Sequence, residues 1–521
     1  MKQKTLTQSL SWLHTWGGLV FGWILFAIFL TGTLAVFDKE IDGWMRPEIP
    51  AHGLDQAESA QRALNYFQAH HPDASAWNIG LPTERSQALT VSAGEQRRGG
   101  GMYLDPLSGE KLDVRQTAGG SFFFRFHFTL NLPRNIGIWV VGLAAMAMLV
   151  ALVSGIVIHK KFFKEFFTFR PAKGQRSWLD AHNATGVLVL PFHLMITYTG
   201  LVIFYLIYMP AAMDALFDGD REATTRAIRG APMEQQAGRE GGGRSGQGEA
   251  AHLRAEPAPL TDLRPLLAEA ERLMGPVAGL SIKNPGRSDA RIEARPVLGN
   301  LIELTKGQSM VFDGVSGKVL RQPTSSRTSL LTQKVMAGLH FAQFGGYPMR
   351  WLYFVCGLAS CAMIATGVVL FTVKRRRRHD NEGVVGALLY RSAERLNIAV
   401  VAGLMLACVA FMWANRLLPA ELAQRSGWEV RVFFGVWLLS LGHAVIRPWL
   451  SAWREQLGLA AALCIGLPLL NLLGPSRGDY LYLEASTVVM GIVLAWTCWK
   501  VSQPKQERPA RHASKHTIEA N

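Results

Sequence analysis

The sequence predicts a polytopic α-helical membrane protein of about eight transmembrane helices, with two polar domains inserted on the outer side after helices 1 and 3. Three observations carry this. Of 521 residues, 49% are hydrophobic and only 18% are charged, and the apolar residues gather into runs long enough to cross a bilayer. The net charge of +15 collects where such runs end: Lys160, Lys161, Lys164, Arg170, Lys173 and Arg176 share one short loop, and Lys374, Arg375, Arg376, Arg377 and Arg378 directly follow another run. Basic loops beside helices mark the cytoplasmic side, so the charge orients the chain in a lipid bilayer and calls for no nucleic acid. The third observation is an internal repeat.

Residues 1–37 hold the N-terminus and helix 1, which runs from about 13 to 37. Lys2 and Lys4 precede this apolar run as in a signal peptide, but the run continues to Val36 without a small-residue cleavage site and reads as a retained helix. Residues 38–121 form the first outer domain, where Y-L-D-P-L-S-G-E-K-L at 103–112 reads as strand, turn and strand. Residues 122–209 carry a short interfacial segment (122–131, F-F-F-R-F-H-F-T-L-N, before Pro133), helix 2 at about 136–158 and helix 3 at about 177–209.

The second outer domain spans 210–337. It contains a Gly-, Arg-, Glu- and Gln-rich stretch at 229–251 that reads as a disordered insertion, and then V-F-D-G-V-S-G-K-V-L at 311–320. Helix 4 and its basic flank occupy 338–378. Residues 379–521 hold four more apolar runs, near 396–414, 430–446, 457–473 and 485–500, and a tail. Eight helices place both termini in the cytoplasm and both large polar regions outside.

The repeat is read from spacing. Helix 1 has His14, Gly18 and Thr31-Gly32, and helix 3 has His182, Gly186 and Thr199-Gly200, at +4 and +17/+18 from each histidine. Each outer domain has an Asp-x-x-x-Gly, at Asp105/Gly109 and Asp313/Gly317. A histidine follows each at the entry to the next helix, His127 and His340. Helices 2 and 4 then hold Ser154-Gly155 and Thr366-Gly367. The first four helices are therefore two copies of helix, outer domain, helix, and helices 5–8 stand outside the repeat.

Helix 3 carries two histidines, His182 and His193. In an unbroken helix, eleven residues come to about 20° past three turns and about 16 Å of rise, so both rings would leave nearly one face. Ionisable groups in lipid face a bundle interior, a cavity or a cofactor. Depth sorts the membrane histidines into two layers: His14, His159 and His182 at the cytoplasmic end, His127 and His340 at the outer end, with His193 about halfway. An iron held between two imidazoles needs both at one depth. The inner layer offers His182 with His14 or with His159. The outer layer offers His127 with His340, or either with His193. Two haems, one per face, are the expected cofactors. Arg125, Arg134 and Arg350 could pair haem propionates or snorkel at the interface. The glycines beside these residues would let a porphyrin or a neighbouring helix approach. His443 reads as a satisfied buried histidine and His379 as a solvated loop residue.

Other chemistry lacks machinery. The five cysteines all lie in apolar segments with no CxxC. No Gly-rich phosphate loop, flavin fingerprint, G-x-S-x-G or HExxH is present.

The stretches S-L-S-W-L-H-T-W-G-G-L, H-K-K-F-F-K-E-F-F-T-F-R-P, S-W-L-D-A-H-N-A-T-G-V and the two D-x-x-x-G modules, in that order over about residues 5–375, resemble the PepSY-associated transmembrane family, iron-regulated inner-membrane proteins of Gram-negative bacteria. The resemblance implies PepSY-like α+β folds for the two periplasmic domains. It implies a haem-dependent oxidoreductase with two haems b that passes electrons across the membrane and reduces ferric siderophores for iron release. It also carries over His14, His127, His159, His182, His193 and His340 as haem-associated positions, a subset of which would ligate the iron. The chain has no reductase domain of the flavoprotein-fused members, so its donor is open: cytoplasmic or quinol. Two other classes compete. One is a siderophore or iron permease, against which the repeats run parallel and show no unwound, charged half-helices. The other is a non-enzymatic periplasmic sensor or binding protein.

Overall fold

The computed structural model describes residues 5–50, 55–94, 101–159, 174–208, 220, 256–299, 301–305, 308–323, 328–376, 383–473 and 480–503. The 229–251 insertion, the basic residues within 160–173, Arg377, Arg378 and His379 lie outside them.

Long apolar helices form the membrane part. Helix α1 (Leu6–Ala35) starts with a capping box, in which Thr5 accepts from the Gln8 N–H and the Gln8 side chain bonds back. After it come α2 (Asp38–Trp44) and α3 (Gln56–His70). Among the described residues six helices are long and apolar enough to cross a bilayer, and a seventh if the bent pair described below is one span.

That bent pair corrects the straight third helix expected from the sequence. The chain forms two helices, Gln175–Leu188 and Leu190–Ile203, bent by 66°. The cause is Pro191, which has no N–H to give to the preceding turn and whose ring crowds it. His182 and His193 therefore do not share one helix face.

The two outer segments differ from expectation more deeply. They do not make separate domains. Strands β1 (Ala76–Gly80), β2 (Leu89–Ala93), β3 (Met102–Leu104) and β4 (Lys111–Leu112) come from the first segment. Strands β5 (Val277–Lys283), β6 (Arg291–Pro296), β7 (Met310–Asp313) and β8 (Val319–Arg321) come from the second. All eight join one antiparallel sheet in the order β4-β3-β2-β1-β5-β6-β7-β8. A strand edge left open in either half would expose unpaired N–H and C=O groups; pairing β1 with β5 removes two edges at once.

The register runs from Ala76 opposite Lys283 to Gly80 opposite Gly279. At this seam two glycines face each other, and a Cβ on Gly279 would collide with the Ile79 carbonyl. Gly279→Val should cost about 1–3 kcal/mol, read as a lower thermal midpoint of the purified protein.

One core serves both halves. Phe67 and Leu64 of α3 pack with Leu263, Leu266 and Leu267 of the helix Leu263–Met274 against Ile79, Leu280, Ile292 and Phe312 of the sheet. The D-x-x-x-G turns close the outer hairpins as read. Asp105 accepts from the Leu107 and Ser108 N–H groups, and Asp313 from Val315 and Ser316. Those N–H groups, Ser316 first, and Arg291 hold the Asp313 carboxyl below its usual range.

Two short helices lead back to the membrane. Helix α4 (Ser121–Thr129) ends at left-handed Leu130 and Asn131, and α5 (Arg134–Ile158) follows. The bent pair is α6 (Gln175–Leu188) and α7 (Leu190–Ile203), and α8 is Leu263–Met274. Helix α9 (Thr328–Phe341) ends at left-handed Ala342, and after Gly345 comes α10 (Gly346–Arg375). His340 thus belongs to α9, not to the fourth span, as His127 belongs to α4. The sheet lies at one end of the bundle, called here the sheet side. The N-terminus of α1 and Lys374, Arg375 and Arg376 mark the other, the basic side.

The last four helices are α11 (Gly383–Leu417, with a π-helical stretch Ile398–Gly403), α12 (Arg425–Ile446), α13 (Trp449–Gly466) and α14 (Leu481–Ser502). Helix α13 is less apolar than its neighbours, because Arg454, Glu455 and Gln456 lie in its N-terminal half. Asn397 docks this unit inside the bilayer: its side chain accepts from Trp23 Nε1 at 2.8 Å and donates to the Val368 carbonyl at 2.9 Å.

At the sheet side, Glu429 and Arg425 are both fully buried. The Glu429 carboxylate accepts from Arg425 (2.6 Å), Asn415 (2.8 Å), the Thr117 hydroxyl (2.7 Å) and the Ala118 N–H (2.8 Å). Residues 117 and 118 are the exit from the sheet, so this cluster clamps α11 and α12 to it. Glu429→Ala leaves a buried guanidinium without its counter-ion and should cost about 3–5 kcal/mol. The paired change Arg425→Met with Glu429→Leu should cost less in the same thermal melt.

Candidate functional site

Four histidines meet in two pairs. On the basic side His14 of α1 faces His182 of α6, ring centres 6.2 Å apart at 72°. On the sheet side His127 of α4 faces His340 of α9, at 5.9 Å and 34°. Fourteen residues of α1 separate His14 from Ile28, whose carbonyl binds His127, so the layers are about 21 Å apart along the helix.

All four rings are held by one local device. Nδ1 of His127 bonds the Ile28 carbonyl (2.8 Å), of His14 the Ala151 carbonyl (2.9 Å), of His340 the Ile196 carbonyl (3.0 Å) and of His182 the Met363 carbonyl (2.8 Å). Three residues after each carbonyl comes a hydroxyl: Thr31, Ser154, Thr199 and Thr366. Each bonds the same oxygen. The next residue is glycine in every case.

The glycine is the seat. A Cβ on Gly32 would stand 2.6 Å from His127 Nδ1, on Gly200 2.9 Å from His340 Cε1, on Gly367 2.9 Å from His182 Cε1 and on Gly155 3.3 Å from His14 Cε1. The hydroxyl–Gly pairs of the repeat therefore lodge imidazoles, where the sequence suggested porphyrin contact or helix packing. The repeat's symmetry is kept: α1 and α7 seat the sheet-side rings, and α5 and α10 seat the basic-side rings.

The chemistry follows from the hydrogen bonds. A carbonyl only accepts, so Nδ1 carries the proton in each ring and Nε2 keeps its lone pair. Among the described residues no hydrogen bond occupies Nε2 in any of the four. An Nδ1–H bonded to a carbonyl is the usual support of a metal-ligating histidine. Two axial imidazoles, each nitrogen about 2 Å from one metal and each ring centre about 1 Å further back, have centres about 6 Å apart. Both pairs fit that spacing. Beside His14 an apolar cavity of about 260 Å³ lies between α1 and α5. Gly17 and Gly18 border it with no atom within 4 Å of a Cβ position.

His159 and His193 join neither pair. His159 caps the end of α5 beside Asn183, 3.4 Å away. His193, fully buried, follows the break at Pro191 with the Gly186 backbone close but off hydrogen-bonding geometry. Of the arginines, Arg125 and Arg134 are exposed, with Arg134 over the Phe128 ring. Arg350 is buried between the Val36 and Gln343 carbonyls, both at 3.4 Å. His443, expected to be buried, is a half-exposed partner of Glu455 at 2.7 Å.

Residues 11–374 match the family model described as the PepSY-associated TM region. The chain belongs to that family. The PepSY-associated region contains both histidine pairs and all four glycine seats, and it ends within the last turn of α10. Helices α11–α14 lie beyond it. No curated protein matches the chain.

What sequence reading missed here is the acceptor set: Ile28, Ala151, Ile196 and Met363. The signal was present as a repeated x-x-x-[Ser/Thr]-Gly, but which ring enters each seat is decided by helix packing.

Proposed function

We propose that this protein is an inner-membrane dihaem oxidoreductase that reduces ferric siderophores on the sheet side, the periplasmic face. The observation that carries this is the fourfold device: every paired ring spends Nδ1–H on a carbonyl and keeps Nε2 for a metal. Haem b at each pair supplies one-electron chemistry when bound. His14 with His182, and His127 with His340, would hold the two haems.

The chain's own work is positional. The carbonyls fix tautomer and ring orientation and strengthen the imidazoles as donors. The glycines let each ring sit against a helix. The hydroxyls share the carbonyl and temper its pull on Nδ1–H. The two layers are the ends of an electron path through the bilayer, and the fused sheet offers a docking surface at one end. A siderophore binds Fe(III) far more tightly than Fe(II), so one electron delivered there releases the iron. The orientation rests on Arg176, Lys374, Arg375 and Arg376 at the far ends of their helices.

A permease is the second reading, favoured by one observation: the third span is broken beside a buried histidine without a hydrogen bond. Anaerobic reoxidation separates the two. Dithionite-reduced protein, freed of reductant and mixed with ferrioxamine, should reoxidise while an Fe(II) chelator colours in step. A reduced protein that stays reduced contradicts the reductase reading.

A further inference from the structure

A second cavity, of about 530 Å³, lies between α1, α10, α11 and α14 at the sheet-side half of the bundle. Its body is apolar and aromatic, with Leu34, Phe37, Trp351, Phe354, Met412 and Cys464 among its walls. Its polar end is a built cluster: Glu40 accepts from Arg85 Nε at 2.8 Å, from Arg85 Nη2 at 2.7 Å and from the Tyr347 hydroxyl at 3.1 Å. Gln87 also lines it. Burial and the Glu40 and Asp38 carboxylates act on Arg85 in opposite senses, and the carboxylates prevail, keeping its guanidinium firmly charged.

The cavity adjoins the sheet-side histidine pair. Leu30, Thr33 and Leu34 line it from α1, while Ile28 and Gly32 of the same helix seat His127 on the other face. A single helix backbone therefore stands between the cavity and that ring. Phe123, also in the wall, lies one turn before His127 on α4.

We infer that this cavity binds the aromatic headgroup of a lipid quinol, which donates electrons to the sheet-side histidine pair. The inference rests on the haem reading above and names the donor it leaves open. The occupant must be membrane-soluble, because the walls are apolar and lie in the bundle. It must carry a flat, hydrogen-bonding end, because rings line the body and a carboxylate, a guanidinium, a phenol and an amide meet at one end. It must be redox-active to make use of a site one helix away from the pair.

The step balances. A quinol leaves as quinone by giving up two electrons and two protons. One proton passes to the Glu40 carboxylate and the other to water on the sheet side. The two electrons would be taken up by the haems that the two histidine pairs would hold, one per layer, and each electron would then serve one Fe(III) siderophore. The basic-side layer thus stores the second electron of a two-electron donor that serves a one-electron acceptor, and no cytoplasmic donor is required.

The test uses the full-length purified protein with decylubiquinone as probe, binding being read by quenching of tryptophan fluorescence. The expected result is saturable binding, weakened at least tenfold by Leu34→Trp and by Met412→Trp, which fill the cavity from opposite walls, with size-exclusion profile and Soret band unchanged. Glu40→Gln should weaken binding less and slow anaerobic reduction by decylubiquinol more. Equal binding in both tryptophan variants overturns the site. Equal displacement of the probe by lysophospholipid marks an acyl-chain site, and displacement by ferrioxamine marks a substrate pocket; either overturns the quinol assignment. A colourless protein that still binds the probe, and loses it in both tryptophan variants, would refute the haem reading while leaving the quinone site standing.

Discussion

If each histidine pair holds one haem as proposed, His182→Ala should lower the haem content of the purified protein from about two per chain to about one, and His14→Ala should do the same. The two act on one layer, since their rings are 6.2 Å apart, so the double variant also keeps about one haem. His127→Ala or His340→Ala should remove the other haem, and a double change with one member in each layer should remove both. His159→Ala and His193→Ala should keep both haems, because the two close histidine pairs are His14 with His182 and His127 with His340. Pyridine-haemochrome quantitation on each variant reads the result. Loss of haem in His193→Ala with retention in His340→Ala would mean the sheet-side iron is held differently.

The glycine seats give the second large effect. Gly367→Val places a side chain where His182 Cε1 now lies 2.9 Å from a Cβ position, and Gly200→Val does so against His340. Each should displace one imidazole and cost about one haem per chain while the bundle still folds, because the change affects one helix contact. Gly186→Ala, whose Cβ would meet only Met363 Sδ at 3.4 Å, should keep both haems. Thr199→Val keeps the volume and removes a hydroxyl that donates to the Met195 carbonyl at 2.7 Å and to the Ile196 carbonyl at 3.2 Å and lies 3.2 Å from His340 Nδ1. The support of that imidazole changes, and the midpoint of that layer alone should shift in a spectroelectrochemical titration.

Much of this was legible because membrane constraints are strict. Spans, basic flanks and the two-copy repeat follow from hydropathy and spacing, and the strand–turn–strand reading at 103–112 matches β3–β4. The two-layer sorting also survives, with His14 and His182 at one end and His127 and His340 at the other. Three features were not legible.

The break in the third span depends on Pro191, which hydropathy alone passes over. The fusion of the outer segments depends on β1 finding β5, and nothing local in A-W-N-I-G states which strand lies alongside. The choice among candidate partners was open because depth is shared by His159 and His182, whereas only packing decides that His14 and His182 each meet a carbonyl, a hydroxyl and a glycine on another helix. The role of α11–α14 was equally hidden. The Glu429 cluster and Asn397 join residues more than 300 and 370 positions apart, contacts that no local pattern encodes.

The central claim is that each histidine pair holds one haem, and the absorption spectrum of the purified protein tests it most directly. Protein from haem-replete cells, taken oxidised and then dithionite-reduced, should show a Soret band, sharp low-spin b-type α and β bands on reduction, and about two haems per chain. A protein without a Soret band, monodisperse and folded, would contradict it.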